Sequence, residues 1–169
     1  MVTHLKGKGN ALISIVSVYQ VCKNGDKGEV TAYLQQQADC YDKYKKVVNP
    51  RDQLCKDLQP VLKNLIKKGH KIIVCADIND DAGQEFDNQW NRMMKLLNMR
   101  NIHQIRHADH PLPRTYVRGR RTLDMIAISE NITNDHIIRA GILPFYSLAA
   151  SDHRPLYIDI DMRLLFGDT

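Results

Sequence analysis

Lys71 to Ala76 reads KIIVCA, an unbroken apolar run that empties directly into the acidic loop Asp77 to Asp81. Half-buried strands alternate apolar and polar residues, whereas a strand covered on both faces reads as a continuous hydrophobic stretch. This segment is therefore expected to lie inside a sheet with packed layers on either side. The residues around it supply those layers. Leu54, Leu58, Val61, Leu62, Leu65 and Ile66 fall on one face at helical spacing. Asn49 is a candidate cap, Pro50 suits the first helical position, and Gly69 suits a left-handed stop, with Lys67 and Lys68 complementing the dipole. Pro60 interrupts this pattern and is expected to kink the helix. Downstream, Phe86, Trp90, Met93, Met94 and Leu97 form a second amphipathic stripe, best explained as core packing.

Other elements are read in the same way. Leu12 to Val21 is rich in Ile and Val and reads as a strand, followed by a turn at Asn24-Gly25-Asp26. Thr31 to Tyr44 is a polar helix. Thr122 to Ser129, Ile137 to Leu143 and Pro155 to Ile160 read as strands, and Ser147 to Arg154 as a loop. His103 to Arg121, with Pro111 and Pro113, is a long polar loop of the kind that often carries function. Mixed strands and helices place the chain in the α/β or α+β class.

At 169 residues, with 43% hydrophobic and 25% charged, the chain is expected to be one globular domain, not a disordered or collagen-like one. The longest apolar stretch, Leu12 to Tyr19, is broken by Ser14 and Ser17 and is too short to span a bilayer. The polar, basic start Met1 to Asn10 does not read as a signal peptide. Cys22, Cys40, Cys55 and Cys75 include no C-x-x-C pair, so reduced cysteines of an intracellular protein are expected, not a zinc site or a disulfide framework. Net charge is +5, concentrated between Asn91 and Met125, where eight Lys and Arg face only Asp109 and Asp124. Such a field suits a polyanionic partner or a merely solvated surface.

Three acidic features sit at strand ends or inside strands: Asp77 in Ala76-Asp77-Ile78-Asn79, Asp124 in TLDMIAIS, and the adjacent pair Asp152-His153. Singly each has a bland explanation. Asp after a strand is ordinary turn chemistry, and a strand carboxylate can simply bond a backbone amide. Together they supply oxygen ligands for a divalent ion, a histidine base with a carboxylate to fix its tautomer, and an amide donor for a phosphate. A basic loop to hold a polyanion completes the parts needed for metal-assisted phosphodiester hydrolysis.

The order Tyr19, Ala76-Asp77-Ile78-Asn79, Leu123-Asp124-Met125-Ile126 and Ser151-Asp152-His153-Arg154-Pro155 resembles the endonuclease/exonuclease/phosphatase superfamily, with Pro113-Arg114-Thr115-Tyr116 similar to its Thr-Tyr lead-in. Within it, VYQVCKNGDKG is most similar to retroelement-type endonuclease domains. The resemblance implies an α+β fold: a two-sheet β-sandwich flanked by helices, four layers αββα, DNase I-like. It implies His153 as the proton-handling residue, Asp124 orienting it, Asp77 aligning the attacking water, and Asn79 and Tyr19 on the scissile phosphate. It also implies Asp152 in a Mg²⁺ (or Mn²⁺) site. Arg114, Arg118, Arg120 and Arg121 are expected to contact nucleic acid by their charge and loop position.

Ala76 and Ile78 replace a Gly and a Phe of the family pattern, and Leu123 and Met125 replace an Ile and a Tyr. Nothing before Tyr19 matches the family's early Asn strand or its metal-ligating Glu. The chain therefore reads as N-terminally truncated, equivalent to the C-terminal two-thirds of the domain, with self-association a way to cover an incomplete sheet. Three functions fit these residues: a DNA endonuclease, nuclear if retroelement-derived; a phosphatase acting on a phosphoinositide or small phosphoester; and an inert nucleic-acid-binding module.

Overall fold

The computed structural model describes residues 1–23, 31–82, 88–148 and 150–167. The expected Asn24-Gly25-Asp26 turn and Phe86 lie outside these residues. The central element is the KIIVCA strand, extended by one residue to Lys71–Asp77 (β3). It lies in the middle of a five-stranded sheet of order β1-β2-β3-β5-β4, where β1 is Val2–Lys6, β2 Leu12–Tyr19, β4 Arg100–Asn101 and β5 Asp124–Ile128. β2 runs parallel to β3, while β5 runs antiparallel to it. A second sheet pairs β6, Ile137–Ile142, with β7, Leu156–Ile160.

Alternation along β3 divides its side chains between two cores. Ile72, Val74 and Ala76 face a cluster with Leu62, Trp90, Met93 and Met94. Those partners come from α2, Pro50–Lys67, and α3, Gln89–Leu96, which with α1, Ala32–Tyr44, flank that side. Ile73 and Cys75 face the other way, against Ile13, Ile126 and Ile128 of their own sheet and Ile137, Leu156 and Ile158 of the second. Two five-residue helices, α4 (Ile102–Arg106) and α5 (Met162–Phe166), close this inter-sheet core with Ile102 and Leu165. Burial on both faces is thus what the unbroken run of β3 encodes.

The caps follow the sequence. The Asn49 side chain accepts from the Arg51 N–H at 2.9 Å, Pro50 opens α2, and Gly69 adopts φ +79° beyond its end. α2 continues through Pro60 to Lys67. Its buried face is narrower than the apolar pattern suggests. Cys55, Leu62 and Leu65 are buried with Leu58 packed beside them, while Val61 and Ile66 remain 43% and 37% exposed. A helix lying on a sheet buries one stripe, and Val61 and Ile66 fall on its shoulder. The stretch expected as loop from His103 begins instead with α4, capped by Asn101, whose side chain accepts from the His103 N–H at 3.0 Å.

β1 was not apparent as a strand, and all five of its residues are exposed at the sheet edge. All four cysteines are free. No helix among the described residues is long and apolar enough to cross a membrane.

Candidate active site

Three strand ends meet on one rung. Tyr19, the last residue of β2, is in register with Asp77, the last residue of β3. Asp77 is in register with Asp124, the first residue of β5. Residues opposite one another in a sheet point to the same face. Here the odd positions Ile73, Cys75 and Asp77 of β3 share the inter-sheet side. The rung thus sits where the two sheets open to solvent. The second sheet contributes His153, three residues before β7, tied in by a lone bridge between Tyr116 and His153.

His153 Nδ1 lies 2.8 Å from Asp124 Oδ2, with both side chains partly buried. With Nδ1–H as the donor, Nε2 carries the lone pair, and it makes no hydrogen bond among the described residues. The ring packs against Tyr116, centroid to centroid 5.1 Å. Burial works against a charged imidazole. The hydrogen bond and charge of Asp124, followed by the charges of Asp77 and Asp152, outweigh it and raise the His153 pKa above its ordinary value. Asp77 is also raised, by burial and then by the neighbouring Asp124 charge. The Asn79 backbone N–H, His153 and Arg51 pull the other way. Tyr19 is 53% exposed, and its phenol is raised by burial, then by Cys22 and Asp77, so it stays protonated and can donate.

Asn79 is held in a left-handed conformation, φ 44°, which Asn tolerates because its side chain bonds locally. Its backbone N–H donates to Asp77 Oδ1 at 3.1 Å, so the strand end and the loop share one turn. Its amide Nδ2 donates to the Gln20 carbonyl at 2.8 Å and its Oδ1 accepts from Cys22 Sγ at 3.0 Å, which leaves one amide hydrogen for a ligand.

Two positioning residues carry little signal in the sequence. Arg51, in the first turn of α2, is 7% exposed. Its guanidinium donates to the carbonyls of Val21, Ile78 and Asn79 and pairs with buried Asp80 at 3.1 Å. It clamps the Asp77–Asp80 loop to the end of β2. A first-turn arginine looks like an exposed helix charge in the sequence, and only its loop partners reveal the role. Thr115, 0% exposed, accepts from the Leu123 and Asp124 N–H groups at 2.8 and 3.2 Å. Its carbonyl accepts from the Arg154 N–H at 2.7 Å. It therefore fixes the spacing between the Asp124 strand and the His153 segment, and its place in the Pro113-Arg114-Thr115-Tyr116 stretch was the available signal.

Among the described residues, Asp77, Asp124 and His153 are a group whose ligand atoms all lie within 4.8 Å of one another. Such a cluster can hold a divalent metal ion. Asp152 stands outside it; it is exposed, and its carbonyl accepts from the Val117 N–H at 2.8 Å. Arg114, Arg118, Arg120 and Arg121 are all exposed on the segment that runs into β5.

No protein-family model matches the chain, and no curated protein matches it by sequence. By structure it is similar to the human Nocturnin catalytic domain with bound sulfate anion, a member of the endonuclease/exonuclease/phosphatase fold. The TM-score is 0.55 at 18% identity, over 94% of this chain and 52% of that one. The fold is DNase I-like. Two sheets with flanking helices are the architecture the motif order implied. The chain spans about half the length of the Nocturnin domain it matches.

Proposed function

We propose that this chain is a metal-dependent phosphodiesterase domain acting on DNA in the manner of a retroelement endonuclease. The observation that carries the reading is the Asp124–His153 pair set on the same rung as Asp77, beside a strip of exposed arginines. His153 Nε2 accepts a proton from the attacking water, and Asp124 compensates the imidazolium that forms. Asp77, facing the same opening, accepts a hydrogen bond from that water and orients it. The remaining Asn79 amide hydrogen and the Tyr19 hydroxyl donate to the phosphate oxygens as charge builds on them. The water oxygen bonds to phosphorus, the P–O bond to the leaving strand breaks, the leaving oxygen takes a proton from solvent, and His153 returns the proton it took to solvent.

A hard divalent cation fits the donor set. Asp77 and Asp124 stand opposite each other on one rung, and Mg²⁺ commonly uses one or two carboxylates with waters completing its shell. Asp77 and Asp124 would hold it, with the exposed Asp152 the further carboxylate nearby in sequence. When bound it supplies charge stabilisation to the phosphoryl oxygens.

The experiment is nicking of supercoiled plasmid with Mg²⁺ or Mn²⁺, comparing the chain with His153→Ala and Asp77→Ala. Metal-dependent nicking lost in both variants is the expected result. Nicking that survives both overturns the assignment. Release of inorganic phosphate from phosphoinositides or small monoesters without nicking moves the site to phosphatase chemistry. Retained duplex binding with neither activity makes it an inert binding module.

A further inference from the structure

On the two segments that flank His153, two arginines converge on one aromatic ring. The Arg114 guanidinium lies 5.7 Å from the Phe145 ring centroid and that of Arg154 lies 5.5 Å from it. Each comes from a segment that builds the active site. Arg154 follows His153, and Arg114 lies two residues before Tyr116, the residue bridged to His153. The Arg154 N–H to Thr115 carbonyl bond ties the two segments together. The arginines are partly anchored. Arg154 Nε donates to the Leu143 carbonyl at 2.6 Å and its Nη2 to the Ile142 carbonyl at 3.4 Å, while Arg114 Nη1 reaches the Gly119 carbonyl at 3.4 Å. Neither pairs with a carboxylate among the described residues, and Arg118, Arg120 and Arg121 share that condition. Two guanidinium groups held against one ring repel each other, and among the described residues no acidic side chain pairs with either. Stacking on an aromatic face keeps the planar forks in place and leaves their remaining N–H groups for an anion.

We infer that Arg114 and Arg154, held over Phe145, form a second anion subsite that takes the phosphate adjacent to the one being cleaved. The inference rests on the phosphodiesterase reading and deepens it, because it assigns the residues that hold a second phosphate of the same strand. Tyr146, 62% exposed and next to Phe145, leaves an open ring at the same place for a base of that strand.

The test uses short thymidine oligonucleotides in two forms, one with the normal phosphate beside the scissile bond and one with a neutral methylphosphonate there. With metal present, the wild-type chain should cleave the charged form with a KM about tenfold lower. That ratio should collapse towards one in Phe145→Leu and in Arg154→Ala, and Phe145→Tyr should restore it. The same oligonucleotides, labelled and measured by fluorescence anisotropy in metal-free buffer, should show the same ratio in Kd. Equal KM and Kd for the two forms in the wild-type chain overturn the subsite, as does a ratio that survives Phe145→Leu and Arg154→Ala. If neither form is cleaved but the Kd ratio is present and lost in the variants, the hydrolytic reading fails and the subsite stands.

Discussion

Asp124→Asn isolates the charge on which the proposed chemistry depends. The substitution keeps the side chain's shape and an oxygen able to accept from His153 Nδ1, and removes the negative charge 2.8 Å away. A hydrogen bond between charged partners contributes about 1.5–3 kcal/mol, and the 28% and 18% exposure of the two side chains places this one at the low end. Losing that charge lowers the proton affinity of the imidazole. With Asp124 neutral, burial is the largest remaining influence on the imidazole and pushes its pKa down. NMR titration of His153 should therefore give a lower midpoint in the variant than in the native chain. The sign for stability follows. The His153 pKa is raised in the folded state, so the pair stabilises the fold fully below the unfolded histidine value, and this contribution is lost as pH rises through the folded value. Urea denaturation should show Asp124→Asn less stable than the native chain under mildly acid conditions, with the gap closing at alkaline pH. For the proposed nuclease activity, the rising limb of the pH–rate profile should move to lower pH while the plateau falls by about 10²–10⁴. An unchanged His153 midpoint in the variant would refute the claim that Asp124 controls this imidazole.

Arg51→Met removes the guanidinium from buried Asp80 and leaves it the Asp81 N–H at 3.1 Å and, as a charged partner among the described residues, Lys23, itself 68% exposed. A loss of about 3 kcal/mol is expected in urea denaturation, largely recovered by adding Asp80→Asn, and an unchanged midpoint would show that the clamp does not support the fold. His103, 1% exposed, has Nε2 3.0 Å from the Gly141 carbonyl and Nδ1 without a partner among the described residues, and burial is the main cause of its lowered pKa. Its neutral form therefore stabilises the fold above the unfolded histidine value, and that contribution is lost as pH falls through it. His103→Gln should flatten the acid side of a stability–pH curve, and equal acid sensitivity in the two proteins would contradict this. Burial pushes the Cys55 thiol to about 11, so in a thiol-reagent assay exposed Cys22 should react quickly and Cys55 only on unfolding.

Much of the site was legible because its parts are local. An unbroken apolar strand followed at once by Asp77 and Asn79, a carboxylate opening another strand, and an Asp-His pair before a third are all short-range patterns. They are visible because the alternation and the turn residues sit next to one another. β1 was invisible for the converse reason. As an exposed edge it buries no face, so no pattern distinguishes it from a basic tail. Arg51 and Thr115 were missed as positioning residues because most of their partners are backbone carbonyls and N–H groups, which leave no mark on composition.

The sequence alone determined the elements and their caps: the two-faced strand, the Asn49–Pro50 start of α2, and the residue types able to move a proton and hold a phosphate. Tertiary structure decided which face of β3 each side chain takes, and hence that Asp77 and Asp124 open towards the second sheet with His153 brought across to meet them over 29 residues of chain. It also decided that two arginines share one phenyl ring while Asp152 stays outside the cluster. Local propensity is fixed by neighbouring residues, whereas register and sheet-on-sheet packing depend on contacts between distant segments, made only when the apolar faces of the two sheets are buried together.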